Sequence, residues 1–167
     1  MTILSSRAAF GMLALGIAAT QGCEPPSPFK PVLDPVPLPS TPASLQVEVG
    51  TGEGVFEPIT KGTIVDPVFG PQGGYHVWTA AKVTGVKLSS AQINVSARLA
   101  PNGEGVGRAS RVITDFRTTS DGAQVHAGIT NFVDNPSSVS GKEIVLRIEV
   151  IAPDGAHGED ERTVKVR

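Results

Sequence analysis

Near the end of the chain Ile144, Leu146, Ile148 and Val150 share one parity, while Glu143, Arg147 and Glu149 share the other, with Val145 the one apolar exception. Successive side chains of a strand point to opposite faces, so this spacing predicts a strand with one dry face and one wet face. The same period of two recurs upstream. Leu45, Val47 and Val49 alternate with Gln46 and Glu48, and Ile93, Val95, Ala97 and Leu99 alternate with Gln92, Asn94, Ser96 and Arg98. Turn-forming clusters separate such runs: Pro101-Asn102-Gly103-Glu104-Gly105, Asp121-Gly122, Asn135-Pro136-Ser137-Ser138 and Pro153-Asp154-Gly155. Seven or eight strands are expected, near 45–49, 63–66, 75–84, 92–99, 109–116, 123–131, 142–152 and 161–167, with no helical spacing between them. Strands at this density predict an all-β fold, an antiparallel sandwich over residues 45–167.

The first 44 residues follow different rules. Arg7 is followed by an uncharged, mostly apolar run over residues 8–19, then by small and polar residues before Cys23. A basic residue, a short apolar segment and small residues are the grammar of a secretory signal, assigned here to residues 1–22. The apolar run is shorter than the ~20 residues a membrane-spanning helix needs. Residues 24–44 then carry Pro25, Pro26, Pro28, Pro31, Pro35, Pro37, Pro39 and Pro42. Proline fixes φ and removes an amide donor, so this segment is expected to behave as a semi-rigid, polyproline-like spacer.

Thr20-Gln21-Gly22-Cys23 resembles the lipobox of bacterial lipoproteins, in which a small residue precedes a cysteine that becomes the lipidated N-terminus. Gly22 and Cys23 match that pattern, whereas Thr20 and Gln21 stand where the family usually has leucine and a small residue. The resemblance implies export, acylation of Cys23 and anchoring to a bacterial membrane, with the outer membrane or cell surface favoured over the inner membrane. Cys23 is also the chain's single cysteine. It has no internal disulfide partner, and acylation would remove an otherwise reactive thiol. At the other end, the run 143–152, the turn Pro153-Asp154-Gly155 and Thr163-Val164-Lys165-Val166 resemble the closing strands of bacterial immunoglobulin-like domains. That likeness implies an immunoglobulin-like sandwich, without the disulfide pair or tyrosine corner of the family.

Charge and motifs narrow the chemistry. With 14 Lys and Arg against 16 Asp and Glu the net charge is −2, which supplies no basic field for nucleic acid. The stretch Phe69-Gly70-Pro71-Gln72-Gly73-Gly74-Tyr75-His76-Val77-Trp78 holds the only Tyr and the only Trp. It lacks the Lys and Ser/Thr of a phosphate loop, and a strand rather than a helix follows it. Its glycines predict a tight turn into a strand in which Tyr75, Val77, Thr79, Ala81 and Val83 share one face and His76, Trp78 and Ala80 the other. Tyr75, His76 and Trp78 are therefore the candidate binding residues.

His76, His126 and His157 are the only histidines and show no ligand spacing; His126 reads as a solvent-facing strand residue. The carboxylates Asp154, Glu159, Asp160 and Glu161 lack the spacing of a calcium loop. No nucleophile elbow or zinc-protease motif is present, so no catalytic residue, metal site or cofactor is assigned. The expected function is a non-catalytic protein-binding or structural module anchored through its N-terminal lipid, with an envelope protein as partner. Two alternatives stand beside it: a metal-handling protein using His76, and a hydrolase with an unrecognised site.

Overall fold

A computed structural model describes residues 44–167 apart from Gln72. Cys23, the 1–22 segment and the proline-rich 24–43 stretch lie outside the described residues. The fold is all-β. In chain order the elements are β1 (Gln46–Thr51), β2 (Glu57–Pro58), β3 (Ile64–Val65), β4 (Val68–Phe69), β5 (Tyr75–Thr84), β6 (Ala91–Leu99), β7 (Gly105–Ile113), β8 (Arg117–Thr118), β9 (Gln124–Val133), the single helical turn α1 (Pro136–Val139), β10 (Glu143–Ile151) and β11 (His157–Val166). All eight expected runs correspond to strands, and three further strands of two residues each, β2, β4 and β8, carry too few side chains to show a period.

The strands form one curled, mixed sheet in the order β2-β1-β5-β9-β7-β6-β10-β11-β3, with β4 alongside β5 and β8 alongside β9. The expectation of purely antiparallel pairing needs correcting at both ends of β11, the start of which forms an isolated parallel bridge between His157 and Ser44. β11 and β3 run parallel, with Lys165 opposite Ile64 and Val166 opposite Val65. A parallel pair needs a long connection, and the chain between β3 and β11 supplies one. The turn cluster at Asn135 is also more regular than expected: Asn135 caps α1 by accepting from the Ser137 amide at 3.1 Å, and Pro136 occupies the first turn, where its missing donor costs nothing.

Curling brings both halves of the sheet onto one core. Val49, Val77, Val83 and Ile129 from β1, β5 and β9 pack with Ile93, Ile144, Leu146 and Ile148 from β6 and β10, all almost wholly shielded from water. At about 25 cal/mol per Å² of apolar surface, burial of these branched side chains is the main stabilising contribution. The seam between β1 and β11 is held by short-range contacts: the Leu45 amide donates to His157 O at 2.8 Å, and the Val49 amide donates to Asp160 Oδ2 at 3.0 Å. Gly158 permits the approach, because a Cβ there would collide with the Leu45 carbonyl.

The wet face of β6, β10 and β11 satisfies itself. Arg98 pairs with Glu161 at 3.2 Å, Arg147 pairs with Glu159, and Asn94 donates to Glu149 at 2.9 Å. Val145, the exception in the alternation, lies buried on this face opposite Arg98 and Thr163. The four late carboxylates do not converge on a common point, since Glu159 and Glu161 have these arginine partners, Asp160 serves Val49 and Arg162, and Asp154 accepts from the Ala156 amide.

Candidate functional site

The outward face of the β5–β9 pair is built differently from this self-neutralised wall. Its starting point is the hairpin β4–β5. Gly73 and Gly74 adopt φ of +81° and +91°, and the Gly70 amide donates to Gly74 O at 3.0 Å, which turns the chain so that Phe69 lies opposite Tyr75. Their rings meet edge to face at 5.3 Å. Alternation then sends Val77, Thr79, Ala81 and Val83 into the core and His76, Trp78 and Lys82 outward.

Of the three sequence-predicted residues, Tyr75 and Trp78 reach the surface and His76 does not. His76 is only 5% exposed, with its ring 4.4 Å from that of Trp78 and 6.3 Å from that of Phe132, both edge to face. Its Nε2 is buried without a hydrogen-bond partner. Burial pushes the imidazole below its ordinary pKa; the nearby Glu53 charge opposes that shift and Arg111 adds to it. His76 thus acts as a packing support for Trp78 and Phe132.

Around it lies a surface that the sequence did not single out. Phe132, opposite His76 on β9, is 47% exposed, and Val112 on β7 is 72% exposed. Arg111 reaches across to donate to Thr130 Oγ1, and neither Arg108 nor Arg111 has a carboxylate partner among the described residues. β7 pairs with β9 only through Gly107–Val133 and Arg108–Phe132. Beyond that point residues 109–113 have no ladder partner on the side away from β6, and most of them are exposed.

Next to this surface the β9 strand carries a bulge. Thr79 faces Ile129 but Ala81 faces His126, so β9 spends one more residue than β5 over the same span, with Gly128 at φ +76°. The Gly128 amide donates to Gly52 O at 3.0 Å, which seats the β1–β2 loop on the sheet. Phe56 folds back over Gly50, where any side chain would collide with its ring. Between this loop and the β8 hairpin opens a cleft of ≈ 630 Å³.

The cleft has an apolar side of Val55, Phe56, Val125 and Ala127, and a polar side of Glu53, Lys82, Asp115, Arg117, Asp121 and His126. Its charges are mostly pinned. Lys82 Nζ lies 3.2 Å from Asp121 Oδ2, and Asp121 also accepts from the Thr119 hydroxyl and the Ala123 amide. These bonds, led by that from Thr119, lower the Asp121 carboxyl from 3.8 to about 2. Arg117 donates to Gly54 O at 3.3 Å, and His126 Nδ1 lies 3.2 Å from Asp115 Oδ1. His126 is therefore half-buried against Phe116 and Asp115 rather than free in solvent. Among the described residues no three His, Cys, Asp or Glu side chains group in the manner of a metal site, and the three histidines stand apart on β5, β9 and the start of β11.

No family model and no curated protein matches this chain. Among solved structures it is similar to a DUF4466 family protein from Parabacteroides merdae ATCC 43184, at 17% identity and a TM-score of 0.31, over 73% of this chain and 44% of that one. The chain thus spans less than half the length of that protein.

Proposed function

We propose that this chain is an exported lipoprotein, acylated at Cys23, whose β domain is a non-catalytic module that binds a protein of the bacterial envelope. The single observation that carries the binding role is the apolar and arginine-rich surface of Trp78, Phe132, Val112, Arg108 and Arg111 beside the unpaired edge of β7. Aromatic residues and Arg are the side chains that dominate protein interfaces, and an unpaired edge accepts an added strand through its backbone. Further along the same outward side, the wet face of β6, β10 and β11 has its charges already paired, so docking there would break existing ion pairs.

The immunoglobulin-like reading of the fold is supported by the order of the long strands. β1, β5 and β9 are consecutive along the sheet, as are β7, β6, β10 and β11, and among the described residues these two groups share a strand ladder only at the short β7–β9 pairing. The proline-rich 24–44 segment, at ~3.1 Å per residue, would hold the domain on the order of 60 Å from the bilayer. Acyl chains on Cys23 supply the anchor, each buried methylene contributing about 0.8 kcal/mol.

Site-specific photo-crosslinking in intact cells tests the binding role, with probes at Val112 and Phe132 and a control probe at Thr163, exposed on β11 and separated from β7 by β6 and β10. A protein captured stoichiometrically from the first two positions and not from Thr163 is expected; equal capture at all three, or none, refutes the assignment. Anchoring is tested separately by Cys23→Ala, which is expected to release the protein from carbonate-washed membranes.

A further inference from the structure

The cleft between the β1–β2 loop and the β8 hairpin is separate in its chemistry from the exposed aromatic surface. Its ≈ 630 Å³ falls within the range of about 300–1,000 Å³ typical of small-molecule sites. Lys82 and Arg117 line the cleft together with Glu53, Asp115 and Asp121, so charges of both signs stand around one opening. A simple anion entering it meets three carboxylates, and a simple cation meets an ammonium and a guanidinium. A hydroxyl group escapes both penalties, because it donates to a carboxylate and accepts from a cation at once.

The unspent hydrogen-bonding capacity points the same way. Glu53 has no ion-pair partner among the described residues, and Lys82 retains ammonium protons beyond the one directed at Asp121. Asp115 Oδ1 lies 3.2 Å from Nδ1 of His126, so Nε2 is the ring nitrogen left for a ligand. Thr118 and Ser120 add hydroxyls, while Phe56 and Val125 offer the apolar contact that the C–H face of a sugar ring requires. These groups are held before any ligand arrives: Asp121 fixes Lys82, Gly54 O fixes Arg117, and Gly128 fixes the loop that carries Glu53. Such preorganisation lowers the entropy cost of binding.

We propose that this cleft binds a neutral polyhydroxylated ligand, a saccharide of one or two rings, through Glu53, Lys82 and His126 with Phe56 as the apolar wall. The proposal is independent of the protein-docking role, and capture of a partner at Val112 leaves it unchanged.

The test is saturation-transfer NMR on the full chain with glucose, galactose, N-acetylglucosamine, maltose and chitobiose, and with inorganic phosphate as the competing anion. At least one sugar is expected to receive saturation and to shift the His126 ring resonances. Glu53→Gln and, independently, Thr118→Val are expected to weaken that binding, the former about tenfold or more. Both positions are exposed, so the variants should keep the wild-type melting temperature. The proposal is overturned if none of the five sugars binds at millimolar concentration, if phosphate displaces them, or if folded Glu53→Gln binds as tightly as wild type.

Discussion

The amide of Gly128 donates to the carbonyl oxygen of Gly52 at 3.0 Å, joining the bulge of β9 to the loop that walls the cleft. The two residues are far apart in sequence, yet each depends on the other's backbone. Gly128 takes φ +76°, and a Cβ on it would lie 2.6 Å from Glu53 O. Gly128→Ala is therefore expected to lose about 1–3 kcal/mol of stability. Gly122→Ala is a built-in comparison, since Gly122 has φ +81° but nothing within 4 Å of its added Cβ. Urea denaturation should show the larger loss at Gly128; equal losses would mean that the loop seat contributes nothing.

Asn131 is fully buried in β9, and neither its Oδ1 nor its Nδ2 has a hydrogen-bond partner; Thr79 Oγ1, nearby on β5, is in the same condition. A buried polar group without a partner costs about 1–3 kcal/mol. Replacing Asn131 with Leu, similar in shape and apolar, is expected to raise stability by about that amount in chemical denaturation. A loss of stability would show that the amide is satisfied in solution, as by an internal water.

His76 makes stability depend on pH. Burial disfavours its charged form, so its folded pKa lies below the ordinary 6.5 while the unfolded chain keeps that value. Below pH 6.5 the unfolded state therefore binds more protons than the native state, and stability falls as pH drops towards the folded pKa. Above 6.5 both states are neutral at this position and the effect vanishes. Urea midpoints measured from pH 8 to pH 5 should decline over the acidic part of that range, and His76→Phe should flatten the decline.

Asp121 acts in the same direction but in a more acidic window. Its folded pKa of about 2 is below the ordinary 3.8, so the carboxylate's contribution is present above pH 3.8 and is lost as pH falls through about 2. The Thr119 hydroxyl is the largest cause. NMR titration of the Asp121 carboxyl should give a midpoint near 2, rising towards the ordinary value in Thr119→Val. An unmoved midpoint in that variant would assign the shift to Lys82 and the Ala123 amide instead.

Sequence alone determined the elements whose signal is local. In β10, Ile144, Leu146, Ile148 and Val150 announce a buried face because each strand residue alternates regardless of what it packs against. Gly73 and Gly74 mark the turn that aims Tyr75 and Trp78, since tolerance of positive φ is a property of glycine itself. That signal located Trp78 but put His76 among the candidates for contact, because alternation separates faces without saying which outward residues a neighbour covers. Phe132, opposite His76 on β9, carries no local signal of its exposure for the same reason.

The tertiary structure decided the rest, because those features depend on register and closure. The two-residue strands β2, β4 and β8 exist only because a longer strand lies beside them. Edge availability on β7 follows from where its pairing with β9 stops, at Arg108. The cleft needs Glu53, Lys82 and Asp121 to meet from three separate segments, brought together by β-sheet pairing and a bulge at Gly128. A strand's period is written in neighbouring residues, whereas the meeting of distant loops is fixed only when the core and the ladders close around them.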